Sequence, residues 1–305
     1  MTALRSDTAP KSPSTFPDTG LGKGWEAPAL TMITLLLVSF GLVNLYSASA
    51  FLARQQGLPD TYFVLRQAMG AAVGLVALAA CSRIPHGWWR HAAWSMVLVA
   101  ITLLVLVILP WTTGIAPEIN GARRWLDLGV SFQPSEIAKL ALVVWTAHLA
   151  VKKRNQFRSF STGMLPFLIV WAVLLVPILL QPDLSTALVL GAAGVLILFA
   201  AGGRVGHFVF LGLLTSPVLL AMLGSGFRRD RLLAFQDVDA FATGAGYQVH
   251  QSLISLGSGG ITGVGFGEGR QKFGFLPEPH NDFIFSMIGE EWGLIGVTFL
   301  VSLYM

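Results

Sequence analysis

Charge and cysteine are both scarce in this sequence. Charged residues make up 12% of the 305 positions, whereas soluble domains contain about 25%. The single cysteine, Cys81, excludes an intrachain disulfide framework and a cysteine metal site. The net charge of +4 gives no support for nucleic-acid binding. Because 54% of the residues are hydrophobic and the mean hydropathy is +0.67, we predict an integral membrane protein.

The N-terminal tail lacks the apolar region of a signal peptide. Residues 1–28 are rich in Pro, Ser, Thr and Gly, which predicts a disordered cytoplasmic tail. After it come apolar runs near the length of about 20 residues that spans a bilayer core. The eight candidate segments lie at 29–53, 63–82, 92–116, 135–151, 160–181, 184–203, 205–224 and 283–305. The predicted fold is an all-α polytopic membrane domain over 29–305.

Basic residues in the short loops predict the orientation of these segments. The most basic short loop, "KKRNQFR" at 152–158, follows the fourth segment. The loops after the second and sixth segments and the N-terminal tail also carry Lys or Arg. Alternating helices place all four on one side, which the positive-inside rule identifies as cytoplasmic. The loops 112–134 and 225–282 then lie outside the cytoplasm.

The outer loop 225–282 is too long to be a simple connector. Its stretch "GAGYQVHQSLISLGSGG" predicts a short amphipathic helix that ends in glycines, and "GVGFGEG" follows it. A nucleotide-binding fingerprint would need a preceding strand in a βαβ unit, so we disfavour that interpretation. We expect a flexible glycine-rich loop that shapes a site at the membrane surface.

Several charged side chains gather on the predicted outer side. Glu136 and Lys139 share a helix face, and a local ion pair explains them as well as a polar cavity does. Asp183, taken alone, is best explained as the cap of the sixth helix. Asp282, in "LPEPHNDFIF", is either an interfacial anchor or a chemical group. Scattered caps would not gather on one side as these residues do: Arg123, Arg124, Glu136, Lys139, Asp183, Arg228, Arg231 and Asp282.

Three stretches together resemble one family. "GARRWLDLGVSFQPSEIAKLA", "LQPDLSTA" and "GYQVHQSLISLGSGGITGVGFGEGRQKFGFLPEPHNDFIFSMIGEEWG" are similar to the SEDS family (shape, elongation, division and sporulation) of peptidoglycan glycosyltransferases. The pair Gln271 and Lys272, with "LPEPH" after it, favours the FtsW and SpoVE branch over RodA, and FtsW most. The family has ten membrane helices, which implies a chain incomplete at its C-terminus. Asn281 departs from the Thr or Ser that is usual there.

The resemblance implies an inverting transferase that polymerises lipid II at the outer face of the bacterial cytoplasmic membrane, during septal cell division. Asp282 is the implied catalytic residue, a general base for the acceptor hydroxyl that is partly desolvated at the helix entrance. The leaving undecaprenyl diphosphate needs cationic stabilisation. The implied substrate-binding residues are Arg123, Arg124, Trp125, Glu136, Lys139, Asp183, Arg228, Arg231, Gln271, Lys272, Glu278 and His280. Among them, the arginines suit the diphosphate. Trp125 either packs on sugar or lipid or belongs to the aromatic belt at the membrane interface. His280 is a positioning group and not a second base.

The implied partners are a class B penicillin-binding protein, which is a single-pass transpeptidase, and other membrane proteins of cell division. Mg²⁺ or Mn²⁺ bridging the diphosphate is chemically reasonable, although no ligand cluster in the sequence requires a metal. A lipid II flippase is one alternative, and it would distribute polar residues across the membrane and on both sides. A scaffold is another, and it would not need Asp282. Concentration of the charges on the outer side favours the enzyme.

Overall fold

The computed structural model describes residues 24–118, 121–127, 129, 131–157, 159–224, 226–239, 241–244 and 246–305. The tail that the sequence predicts at residues 1–28 lies almost wholly outside the described residues. The same holds for the side chain of Arg228, one of the predicted phosphate ligands.

Helices dominate the described chain, as expected for a backbone that must satisfy its own hydrogen bonds in lipid. They are α1 (Glu26–Gln55), α2 (Tyr62–Arg83), α3 (His86–Ile108), α4 (Pro134–Lys152), α5 (Leu165–Leu180), α6 (Leu184–Ala200), α7 (Val205–Leu223), α8 (Gly226–Gln236), α9 (Tyr247–Gly259) and α10 (Ile284–Tyr304). Two short strands, β1 (Leu126–Asp127) and β2 (Ser131–Phe132), pair antiparallel. A π-helical turn at Phe160–Met164 leads into α5.

Six of these helical segments are long and apolar enough to cross a membrane: α1, α2, α3, α5 with its π turn, α7 and α10. Helix α6 is apolar but has only 17 residues, and α4 carries Glu136 and Lys139. Each of the eight predicted segments overlaps a helix. The structure supports a polytopic helical membrane protein.

The prediction for the third segment is wrong at both ends. Helix α3 starts at His86, directly after the extended Pro85, and ends at Ile108. Pro110 explains the end, because a residue before proline is driven to extended backbone. Leu109 has φ −62° and ψ 136°. A 3₁₀ turn at Pro110–Thr112 follows, where the sequence predicted continued helix.

The described chain divides into two compact units, one formed by its residues up to Leu78 with 226–305 and the other by residues 79–225. In the second unit, α3 packs on α4 and α5, and α6 packs on α4 and α5. Trp145 and Phe167 are fully buried in its core and meet edge to face. The Trp171 indole N–H donates to Thr146 Oγ1 at 3.0 Å. Gly194 leaves room for the same indole, since a Cβ there would lie 2.5 Å from the ring.

In the first unit, α10 packs on α9 and α1, and it breaks at Gly293, where φ is 65° and ψ is −161°. The glycine loop after α9 fills this break. Val264 N donates to Glu290 O at 2.9 Å, and Leu294 N donates to Gly260 O at 3.0 Å. These bonds satisfy backbone groups that a broken helix would leave exposed to lipid.

The glycines of "GVGFGEG" allow this loop to pack closely against α10. A Cβ at Gly263 would lie 2.2 Å from Glu291 O, and Gly263 has a φ of +81°. The sequence predicted the helix α9 correctly, but the expectation of a flexible loop after it is wrong. Because the loop backbone is hydrogen-bonded to α10, it is held in place. Helix α8, at the start of the same long connection, was not predicted.

Candidate functional site

Asp282 lies in a segment that is anchored on both sides. Helix α10 begins at Ile284 with Phe283 as its N-cap, so Asp282 directly precedes the cap. Leu276 is fully buried against Ala48 of α1 and Met287 of α10, and Phe283 packs on the same cluster. The Asp282 side chain itself is exposed. The protein around it therefore fixes the position of Asp282 and leaves its carboxylate uncovered by other side chains.

Glu278, His280 and Asn281 lie in the segment directly before Asp282. Glu278 adopts a left-handed φ of 50°, and its carboxylate accepts a hydrogen bond from the Asn281 amide at 2.8 Å. The almost wholly buried His280 ring lies 4.9 Å from the ring of Phe63 in α2. Its Nε2 is 3.8 Å from Glu278 Oε2, which is too long for a hydrogen bond. Asn281, the departure from the family pattern, thus orients the neighbouring glutamate.

Lys272 is buried and fully engaged inside the protein. Its ammonium donates to Glu291 Oε1 at 2.8 Å, to Ser47 Oγ at 2.9 Å and to Gly267 O at 2.6 Å. An ammonium has three N–H donors, so these three bonds use all of them. Ser47 Oγ also donates to Glu291 Oε1. Substrate contact by Lys272 would require the loss of one of these bonds.

Glu290, the neighbour of Glu291, holds the chain just before Lys272. Its Oε1 accepts a hydrogen bond from Arg270 N at 2.7 Å, and its Oε2 lies 3.2 Å from Ser255 Oγ in α9. Arg270 is the N-cap of the 3₁₀ turn Gln271–Phe273. A carboxylate is favourable there because it satisfies amide groups that have no helical partner. Glu290 and Glu291 together fix the turn to α10.

Sequence reasoning missed both glutamates. They are 2% and 3% exposed and lie within the apolar run that begins at Phe283. Ionisable residues inside a membrane segment are expensive and usually functional, so the "GEE" stretch carried a usable signal. Their partners, however, come from distant parts of the chain. Ser47 is 244 residues away from Glu291.

In the second unit, Asp183 and Arg124 organise the turn between α5 and α6. Asp183 is buried, and its Oδ1 accepts from Thr186 N at 3.2 Å, which is the capping arrangement that the sequence favoured for it. Its Oδ2 accepts from Gln133 Nε2 at 3.2 Å. Arg124 donates from Nε to Gln181 O at 3.0 Å and from Nη2 to Pro182 O at 2.7 Å. These bonds use two of the five N–H donors of the guanidinium.

The start of α4 carries the ion pair that was one explanation for its charges. Lys139 Nζ lies 2.6 Å from Glu136 Oε1, and both side chains are exposed.

The other predicted site residues are spread over both units. Arg123 donates to Leu109 O at 3.3 Å, and Trp125 is 38% exposed. Arg231 lies exposed on α8 in the other unit. Gln271 has a buried Oε1 without a hydrogen-bond partner among the described residues.

Metal binding has no cluster to support it in the described part of the chain. Within those residues, no three His, Cys, Asp or Glu side chains group together as a metal site would require. The chemistry available in one unit is therefore the exposed carboxylates of Asp282 and Glu278 and the cation Arg231. The other unit offers the cations Arg123, Arg124 and Lys139.

Comparison with known families identifies relatives along almost the whole chain. The profile of a family described as "Cell cycle protein", FtsW/RodA/SpoVE, matches residues 28–305. The probable peptidoglycan glycosyltransferase FtsW of Geobacter sulfurreducens is 39% identical over 278 residues, 90% of this chain and 74% of the relative. Stage V sporulation protein E of Bacillus subtilis is 39% identical over 280 residues, 90% of this chain and 75% of the relative.

Solved structures with a similar fold agree with these relatives. One is a chain from work described as "Structural coordination of polymerization and crosslinking by a peptidoglycan synthase complex". It superposes with a TM-score of 0.70 at 28% identity, over 93% of this chain and 75% of that one. The rod shape determining protein RodA of Thermus thermophilus superposes with a TM-score of 0.60 at 27% identity, over 90% and 70%.

Proposed function

Because this chain belongs to the FtsW/RodA/SpoVE family of cell cycle proteins, we propose that it polymerises lipid II into the glycan strands of peptidoglycan. The chain is a peptidoglycan glycosyltransferase, the activity that names its Geobacter relative. We place the reaction at the outer face of the bacterial cytoplasmic membrane during septal division. The polytopic helical fold suits this role, since the substrate carries a lipid tail and a water-soluble headgroup.

The position of Asp282 carries the mechanistic part of the proposal. Its carboxylate is exposed, and buried anchors hold the segment around it. Asp282 accepts the proton of the acceptor sugar hydroxyl while that oxygen attacks C1 of the donor sugar. The bond between C1 and the diphosphate oxygen breaks, and its electron pair leaves with undecaprenyl diphosphate. A single displacement of this kind inverts the α-linked donor to a β-linked product.

Cations must stabilise the diphosphate as it leaves. We assign this role to the cations that the topology predicts on the outer side, which are Arg123, Arg124, Lys139, Arg228 and Arg231. Arg124 keeps three N–H donors beyond the two that bind backbone carbonyls. Glu136 orients Lys139 through their ion pair, and the exposed Trp125 ring offers a surface for sugar or lipid. Mg²⁺ or Mn²⁺ on the diphosphate would supply the same kind of charge, and activity after chelation with EDTA tests for it.

We propose that α1 to α7 and α10 all cross the membrane, with residues 225–282 outside. Replacing Cys81 with Ser removes the native thiol, after which single cysteines at Ser159 and Ser258 report on opposite sides. Both positions are exposed in the structure. A membrane-impermeant maleimide should label the Ser258 position in intact cells and the Ser159 position only after lysis. Labelling of both in intact cells would exclude this topology.

The proposed partner is a class B penicillin-binding protein. The structural neighbour at TM-score 0.70 comes from a peptidoglycan synthase complex, described as coordinating polymerization with crosslinking. A polymerase needs a transpeptidase to join its glycan products, which supports this pairing. Other membrane proteins of cell division are expected around it.

The decisive experiment replaces Asp282 with Asn in the chain purified with its penicillin-binding protein. Asn keeps the shape of the side chain but is not a base, so lipid II polymerisation measured on gels should fall about 10²–10⁴-fold. Glu268→Gln is the matched control, because Glu268 is another exposed carboxylate of the same loop. It should leave polymerisation unchanged, and both variants should still bind the partner.

Other outcomes identify other functions. Near wild-type glycan product from Asp282→Asn would remove Asp282 as the base. Loss of lipid II translocation with polymerisation unaffected would indicate a flippase. Loss of neither activity would indicate a scaffold, in which Asp282 is only an interfacial anchor.

A further inference from the structure

A groove on the unit formed by residues 79–225 is not explained by the proposed reaction. Helices α3 and α4 line it, and its volume is about 560 Å³. This volume falls within the range of roughly 300–1,000 Å³ that is usual for small-molecule sites. Arg90, near the start of α3, and Lys152, the last residue of α4, both line the groove. The two cations therefore lie at the same end of this helix pair.

The groove has an apolar part and a cationic part. Val144, Ala147 and Val151 follow one face of α4 at intervals of three and four residues, and they form the apolar part. His148, four residues before Lys152, adds a polar group on the same helix. Val143 and Trp89, the latter beside Arg90, complete the lining, and tryptophan is typical of the membrane interface. A ligand that fits both parts is an anion with a hydrocarbon chain.

Lys153, next to Lys152 in sequence, is hydrogen-bonded within the protein. Lys153 donates to Gln156 Oε1 at 3.1 Å and to Thr162 O at 2.7 Å. Lys152 and Arg90, by contrast, have no side-chain hydrogen bond or ion pair within the described part of the chain. Their charges face a groove that the protein itself does not fill.

We propose that this groove binds one anionic phospholipid of the surrounding leaflet. Arg90 and Lys152 hold the phosphate, and an acyl chain lies along Val144, Ala147 and Val151. The leaflet is the one that the basic loops predict to be cytoplasmic. Basic pockets between membrane helices on this side suit anionic headgroups. A soluble anion would gain nothing from the apolar strip, and a lipid without net charge would gain less from the two cations. This inference does not rest on the proposed reaction.

Native mass spectrometry of the full chain, released from mixed micelles, tests the proposal. The probes are phosphatidylglycerol and phosphatidylcholine with identical acyl chains. The wild type should retain one phosphatidylglycerol in preference to phosphatidylcholine. The double variant Arg90→Gln, Lys152→Gln should bind phosphatidylglycerol about 25-fold more weakly, at about fivefold for each lost cation. Arg204→Gln, an exposed cation of the same predicted side outside the groove, should bind as the wild type does.

A second variant separates the groove from general surface charge. Ala147→Trp keeps both cations but fills the apolar part, so it should also release the lipid. Retention of phosphatidylglycerol by this variant, or by the double Gln variant while it remains monodisperse, would overturn the proposal. So would equal retention of the two lipids by the wild type. Displacement of the lipid by millimolar inorganic phosphate would instead indicate a site for free anions and would also overturn it.

Discussion

The Lys139–Glu136 pair at the start of α4 and the Lys272–Glu291 pair in the other unit have similar lengths, 2.6 Å and 2.8 Å, but very different burial. The exposed side-chain fractions are 37% and 60% in the first pair, and 7% and 2% in the second. An exposed pair contributes about 0–1 kcal/mol to stability, because water screens it. A buried pair gains little net stability when intact, but it costs several kcal/mol when one partner is removed.

This difference separates a structural role from a role in binding. Lys272 donates its three N–H groups to Glu291, Ser47 and Gly267, so it fixes the loop before Asp282 to α1 and α10. Among the described residues, the only ion-pair or hydrogen-bond partner of the Lys139 ammonium is Glu136. Its other donors can therefore reach a phosphate without breaking a bond of the fold. Lys139 therefore keeps donors that a ligand could use, whereas Lys272 does not.

The largest effect on stability is expected from Lys272→Met. It leaves the Glu291 carboxylate buried without its cation, which should cost about 3–5 kcal/mol. The measurement is the temperature at which half of the purified protein stays monodisperse in detergent. The double variant Lys272→Met, Glu291→Leu removes both charges and should recover most of the loss. An unchanged transition temperature for Lys272→Met alone would show that the pair does not hold the loop.

Gly263→Ala should have the next largest effect on stability, because its side chain would clash with the backbone of α10 where the same loop packs on it. Its Cβ would lie 2.2 Å from Glu291 O at a φ of +81°, so we expect a loss of about 1–3 kcal/mol. Gly257→Ala in α9 is the matched control, since a Cβ there meets nothing within 4 Å. It should be neutral or slightly stabilising, as Ala favours helix more than Gly does. Equal transition temperatures for the two variants would contradict the tight docking of the loop on α10.

Local patterns in the sequence predicted the features that depend on near neighbours. The apolar runs predicted the helices, and "LQPDLST" predicted the Asp183 cap. The spacing of Glu136 and Lys139 offered their ion pair as one of two explanations. The end of α3 is also local, because Pro110 drives Leu109 to extended backbone although the apolar run continues past it.

Features made by distant residues could not be read in the same way. The carboxylates of Glu290 and Glu291 find their partners in α9, in the turn at Gln271–Phe273 and at Ser47 of α1. Only the fold brings these together. The glycines of "GVGFGEG" suggested flexibility from composition, whereas their close contact with α10 depends on the break at Gly293. The role proposed for Asp282 rests on family resemblance, since a single carboxylate before a helix is also a common anchor.

The smallest effect on stability, and a clear effect on activity, is expected from Lys139→Gln. The exposed pair contributes little to folding, so the transition temperature should stay at the wild-type value. Polymerisation should fall, because Gln can donate a hydrogen bond but carries no charge for the leaving diphosphate. Removal of one stabilising donor typically costs about 10²–10³-fold in rate. We expect a loss at or below the lower end, since Lys139 is partly exposed and the arginines remain.

Glu136→Gln is the control that separates the two explanations for this pair. It breaks the ion pair but leaves the Lys139 charge in place, so polymerisation should fall much less than in Lys139→Gln. If Lys139 serves only to let α4 begin at the interface, the two variants should behave alike and neither should lose activity. The gel assay of lipid II polymerisation and the transition temperature, measured on the same preparations, distinguish these outcomes. A Lys139→Gln variant that loses stability as Lys272→Met does would contradict the contrast between the exposed and the buried pair.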